Sequence, residues 1–171
     1  MLKSFIKDLT IKERIIICLA IAINIFIIVN SCLPGGESTK ESNWLVEPIK
    51  NIINLIKPDT INDSNISWFS GFIRKLIGHF SLFAVSGFLT TWSIKICVFK
   101  KEKQFFKAFY LSFFFGLALA CLTELIQTFI PGRSGEIKDV RIDFIGYLLA
   151  LLITLLVIFL IYRKKKGKIA G

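Results

Sequence analysis

The sequence predicts an all-α integral membrane protein: a four-helix bundle, N-in and C-in, with an extracytoplasmic amphipathic helix between spans 1 and 2. Three observations predict it. Of 171 residues, 54% are hydrophobic and 20% charged, whereas roughly a quarter of a soluble domain is charged. Four apolar stretches, Ile15 to Leu33, Leu76 to Phe99, Phe106 to Ile130 and Ile142 to Tyr162, each approach the roughly 20 residues that cross about 30 Å of hydrocarbon. No Lys or Asp stands at the centre of any of them, where one would cost about 2.5 to 3.5 kcal/mol.

The third observation is where the charge lies. The net charge is +10, which on a soluble protein would suggest a nucleic-acid partner. Its basic residues instead flank the spans. Lys3, Lys7, Lys12 and Arg14 precede the first, Lys100, Lys101, Lys103 and Lys107 lie between the second and third, and Arg163 to Lys166 with Lys168 follow the fourth. All of these fall on one side of an alternating topology. The opposite side, Pro34 to Arg74 and Pro131 to Arg141, mixes its cations with Glu37, Glu41, Glu47, Asp59, Asp63, Glu136 and Asp139. The positive-inside rule therefore places both termini in the cytoplasm of a bacterial-type cell, with membrane lipids rather than nucleic acid as the partner.

The first span begins basic, runs apolar and ends Val29-Asn30-Ser31-Cys32, a loose mimic of a lipoprotein cleavage site. Asn30 and the length of the apolar run favour an uncleaved anchor. Cys18, Cys32, Cys97 and Cys121 show no metal-type spacing, so neither a metal, a disulfide nor another cofactor is expected.

Beyond the turn-rich Leu33-Pro34-Gly35-Gly36, the residues Leu45, Ile49, Ile52 and Ile56 recur at helical spacing opposite Glu47, Lys50, Asn51, Asn54 and Lys57. This periodicity predicts the amphipathic helix, Trp44 to Lys57, capped by Ser42 or Asn43 and closed by Pro58. It would lie on the outer surface with Trp44 in the headgroup zone. Asp59 to Ser67 reads as a polar loop, and Trp68, Phe69 and Phe72 lead into the second span. Without repeats or low-complexity stretches, residues 1–171 read as a single domain.

Ionisable residues inside spans are expensive, and here they gather at one level. Lys75 and His79, four apart, share a face at the start of the second span. Glu124 and Gln127 occupy the last turns of the third, with Glu124 about 10 Å below the exit at Pro131. Stepping back by four from Glu124 gives Ala120, Gly116 and Ser112, a small-residue stripe that allows close helix contact and turns Glu124 inward. Asp139 and Asp143 begin the fourth span, continued by Gly146 and Ala150, while Pro131-Gly132-Arg133-Ser134-Gly135 holds Arg133 above the same layer. The candidate site is thus Lys75, His79, Glu124, Gln127, Arg133, Asp139 and Asp143.

Each member also has a plain structural reading. Lys75 and Arg74 suit interfacial anchors, Asp139 suits a helix cap, His79 suits an interhelical hydrogen bond, and Gln127 and Arg133 suit partners of nearby carboxylates. Their coincidence favours a site, because a buried Glu needs a partner or a proton. Lys75, His79 and Arg133 are the partners on offer.

At these residues the chain resembles the VanZ-like family of small bacterial membrane proteins. The resemblance rests on Lys75-Leu76-Ile77-Gly78-His79-Phe80, on Glu124 and Gln127 followed by Pro131-Gly132-Arg133, and on Asp139 with Gly146. Asp143 stands where Asn is usual, Phe83 where Tyr is common and Ala150 where a further Gly is frequent. The resemblance implies an envelope protein linked to resistance to teicoplanin-like glycopeptide antibiotics.

Two functions compete. In the first, an outer-leaflet site binds a polar or anionic envelope ligand, such as the headgroup of a lipid-linked cell-wall precursor or a glycopeptide-related ligand, with Lys75 and Arg133 supplying positive charge. In the second, the chain is a membrane enzyme acting on an envelope lipid, with His79 and Glu124 as acid and base. No nucleophile elbow, zinc motif or phosphate loop supports a familiar hydrolase. A transporter would need polar residues near the midplane, and the layer here is shallow, although an oligomer is open to a chain of this size.

Overall fold

The computed structural model of the chain describes residues 9–97 and 104–167, and of residues 35–45 and 165–167 it describes the backbone alone. Lys3, Lys7, Lys100, Lys101, Lys103 and Lys168 of the flanking basic groups lie outside the described residues. Among the described residues there are helices, turns and loops but no strand.

The first helix, α1, spans Ile11–Ser31 and starts earlier than its apolar run. The cause is a capping box. Thr10 Oγ accepts the Glu13 N–H at 3.3 Å, while the Glu13 carboxylate accepts the Thr10 N–H at 2.8 Å, satisfying two backbone donors that a helix start leaves open.

The second helix, α2, spans Gly35–Ile56, which corrects two expectations. The Pro-Gly-Gly sequence does not prolong a turn, since Pro34 holds φ −56 and ψ 147 as the residue before the helix, an extended conformation from which a helix can begin at once. Ser42 and Asn43 consequently lie inside α2 and not at its start. Val46 is buried with Ile61, Phe69 and Ile73, and Ile49 and Ile53 pack against that cluster. Ile52, Leu55 and Ile56 of the same helix remain exposed, Leu55 by 85%.

The connection from α2 folds back because Asn54 clasps Ile61, accepting its N–H at 2.9 Å and donating to its carbonyl at 2.8 Å. Asp59 adopts a left-handed φ of 58 in this turn, a conformation Asp tolerates better than most residues. Asn65 donates to the Thr60 carbonyl at 2.8 Å and accepts the Asn62 N–H at 2.9 Å.

The third helix, α3, runs Ile66–Cys97, about ten residues further toward its N-terminus than the apolar run that begins at Leu76 after Arg74 and Lys75. Its 32 residues measure about 48 Å at 1.5 Å each, so its ends reach beyond about 30 Å of hydrocarbon. It is also not α-helical throughout. Residues Arg74–Phe80 form a π-helical segment between Ile66–Ile73 and Ser81–Cys97.

The fourth and fifth helices among the described residues are α4 (Phe105–Gln127) and α5 (Ile137–Gly167). Four helices, all but α2, are long and apolar enough to cross a membrane. The helix α5 packs along α3 and α4, and α1 packs along α3 and α4. Phe83, Leu119, Tyr147 and Leu151 form the centre with Ile27.

Glycines set two of these approaches. A Cβ at Gly146 would overlap the Phe80 carbonyl oxygen, and a Cβ at Gly87 would overlap that of Tyr147. The backbones of α3 and α5 therefore meet closely enough to exclude any side chain at those positions.

A polar layer at one end of the bundle

The candidate residues come from three helices and, for Arg133, the loop between two of them, and the end at which α4 finishes and α5 begins collects them. Lys75 and His79 stand on the π-helical segment, Glu124 and Gln127 on the last turns of α4, Asp139 and Asp143 on the first turns of α5. Single π turns inside α-helices often mark functional positions.

An ion pair and a histidine–carboxylate contact tie α3 to α5. Lys75 Nζ donates to Asp139 Oδ1 at 2.5 Å and lies 3.7 Å from Glu136 Oε2. His79 Nδ1 lies 3.1 Å from Asp143 Oδ1. Four-residue steps match on both helices, so the pairs stack one turn apart. Lys75 keeps about a third of its side-chain surface exposed, whereas Asp143 is fully buried.

Of the partners the sequence offered for the nearby carboxylates, Gln127 reaches Glu124, and a backbone donor joins it. Its Oε1 accepts Gln127 Nε2 at 3.1 Å, and its Oε2 accepts the backbone N–H of Glu136 at 3.0 Å. That N–H belongs to the residue just before α5, where the helix presents its positive end and welcomes an anion. A Cβ at Gly135 would meet the Glu124 carbonyl oxygen, so the loop can press onto α4 and deliver that N–H only because position 135 lacks one.

Lys75 is committed to Asp139 and Glu136, and His79 Nδ1 contacts Asp143. Glu124 still lies near the second pair: ligand atoms of His79, Glu124 and Asp143 fall within 4.8 Å of one another. Arg133 stands in the connecting loop, half-buried, with its N–H bonded to the Ile130 carbonyl at 3.1 Å. Asp139 lies in the first turn of α5, where its carboxylate receives Lys75.

Several contributors were missed from sequence. Glu136 supplies both a backbone donor and a second carboxylate to Lys75, and its only signal was its place three residues before Asp139. Deeper in the bundle, Asn24 Nδ2 donates to Thr90 Oγ1 at 2.9 Å and to the Ala20 carbonyl at 2.6 Å, while Ser86 Oγ donates to Asn24 Oδ1 at 2.8 Å. An Asn in the middle of an apolar run was the available sign. Tyr147, fully buried, faces Thr90 and Thr91 and fills the space that Gly116 leaves open.

Four apolar helices long enough to cross a bilayer, with their polar side chains turned inward, define a multi-pass membrane protein. The family model of VanZ/LLP1 matches residues 16–160, and the chain belongs to this family. The match agrees with the resemblance carried by Lys75, His79, Glu124, Gln127 and the Pro131-Gly132-Arg133 connection. No curated protein and no solved structure matches the chain.

Proposed function

We propose that this VanZ-like protein resides in the cytoplasmic membrane with both termini inside. On this reading its polar layer binds the headgroup of an envelope lipid at the outer leaflet, so influencing susceptibility to teicoplanin-type antibiotics. The observation that carries the reading is the convergence of Lys75, His79, Glu124, Asp139 and Asp143 from three helices within hydrogen-bonding networks at one end. Intramembrane ionisable groups are costly enough that such a gathering reads as a site. On this reading α2 is an amphipathic surface helix whose exposed Ile52, Leu55 and Ile56 face lipid and border the mouth.

Charge sets the kind of headgroup. Because Lys75 already answers Asp139 and Glu136, it can direct but not wholly neutralise an anion, and a headgroup with hydroxyl or amide donors suits the surrounding carboxylates. Residues 1–171 act as one domain in this proposal.

A second reading is favoured by one observation. His79 Nδ1 faces the buried Asp143, an arrangement that orients an imidazole and leaves its other nitrogen to act on a proton. In the enzyme reading His79 acts with Asp143 behind it and Glu124 beside it.

Mass spectrometry of total envelope lipids incubated with the purified protein separates the two. Retention of an unmodified lipid by wild type, at least about tenfold reduced in His79→Ala and Glu124→Gln proteins that still insert, supports binding, with about 1.4 kcal/mol for each tenfold. A changed lipid species supports catalysis. No retention and no change, with both variants matching wild type under drug challenge, rejects the site altogether.

A further inference from the structure

The cysteines offer no metal site, but the polar layer has a different donor set. His79, Glu124 and Asp143 each offer a ligand atom, and these atoms lie within 4.8 Å of one another. Glu124 and Asp143 are 4% and 0% exposed. Asp143 Oδ2 is buried without a hydrogen-bond partner, although Oδ1 of the same carboxylate lies 3.1 Å from His79 Nδ1.

Two buried carboxylates beside one imidazole carry an excess of negative charge, which a low-dielectric interior strongly disfavours. A doubly charged cation bound by both carboxylates and a neutral imidazole makes the set electrically neutral. Neighbouring ligand atoms around a metal at about 2.1 Å stand about 3.0 to 3.4 Å apart, and the His79 to Asp143 separation of 3.1 Å fits that spacing. Glu124 is meanwhile held by Gln127 and by the Glu136 N–H, the kind of outer support that fixes a ligating carboxylate.

The geometry points to a divalent transition-metal site, of the zinc or manganese class, held by His79, Glu124 and Asp143. One nitrogen and two carboxylates suit those ions better than calcium, which takes six to eight oxygens. Three protein ligands leave further coordination positions for an oxygen, so the ion would give an anionic headgroup the positive charge that Lys75 has spent on Asp139. The site stands without the headgroup reading.

The test is the metal content of the full chain, purified in nanodiscs with a histidine-free tag, equilibrated with micromolar zinc or manganese alone and cleared of excess by gel filtration. Wild type is expected to retain about one ion per chain, and Asp143→Asn, Glu124→Gln and His79→Ala about a tenth of that or less. A chain carrying Cys18→Ser, Cys32→Ser, Cys97→Ser and Cys121→Ser keeps the ion. The melting temperature of wild type rises when zinc or manganese is added and that of Asp143→Asn does not, a readout that survives if the other variants fold poorly. A wild-type chain retaining under about a tenth of an ion, or an Asp143→Asn chain that retains as much as wild type, overturns the site. No lipid enters these measurements, so they fail or succeed independently of the headgroup reading.

Discussion

Asp143 is the most consequential single residue in the polar layer. It is fully buried, one of its oxygens faces His79, and the other has no hydrogen-bond partner. Breaking a buried pair from the histidine side strands a carboxylate, whereas replacing that carboxylate by an amide keeps the shape and removes the charge. His79→Ala is therefore expected to destabilise the protein by about 3 kcal/mol, and Asp143→Asn to change stability by less than about 1 kcal/mol. Thermal unfolding in detergent without added metal checks the contrast, and equal losses from both would contradict the pairing. Lys75, His79, Glu124, Asp139 and Asp143 stand out in the sequence because intramembrane charge is conspicuous, whereas Glu136, which reaches Lys75, does not. Gln127 was legible as a partner of a nearby carboxylate, but the pairings of Lys75 and His79 with α5 were not. Glu124 takes its partners from Gln127 and from a backbone N–H, and a backbone donor leaves no mark in a residue pattern.

At the scale of elements, the π-helical segment Arg74–Phe80 and the glycine opposite it position the histidine. Gly146 faces the Phe80 carbonyl so closely that a Cβ there would overlap it, and Asp143 lies three residues earlier on α5. Gly146→Ala is expected to push α5 off α3 at a cost of about 1 to 3 kcal/mol and to weaken the His79 to Asp143 contact. Gly71→Ala makes the control, since a Cβ there has nothing within 4 Å and a helical Gly to Ala change contributes about 0.5 to 1 kcal/mol of stability. Relative melting temperatures of the two proteins check this, with Gly146→Ala below wild type and Gly71→Ala at or above it. The four spans were readable from hydrophobic length, and their boundaries were not, because capping at Thr10 starts α1 before its apolar run and Arg74 and Lys75 divide the apolar lead-in Ile66–Ile73 from the rest of α3. The π segment was likewise hidden, since it is a matter of backbone bonding to the fifth residue back and no residue type demands it.

Taken as a whole, the molecule inverts the pattern of a soluble protein. Glu124, Asp143, Thr91 and Ser112 are buried, while Ile21, Ile25, Phe114, Ile153 and Leu156 are exposed by half or more. Water would penalise such a surface, and hydrocarbon favours it. The basic residues Arg14, Lys95, Lys107, Arg163 and Lys164 sit at the helix ends opposite the polar layer. The proposed orientation turns those ends to the cytoplasm and the polar layer outward, as the positive-inside rule favours, and every proposal about an outer-leaflet ligand depends on it.

Labelling of intact cells with a membrane-impermeant maleimide tests it most directly, in a chain whose native cysteines are replaced and a single cysteine is introduced. Ile137→Cys, at an exposed position beside Glu136, is expected to label from outside, and Lys164→Cys to label only after permeabilisation. Labelling of Lys164→Cys in intact cells, with Ile137→Cys protected, would put the polar layer in the cytosol and contradict the outer-leaflet site.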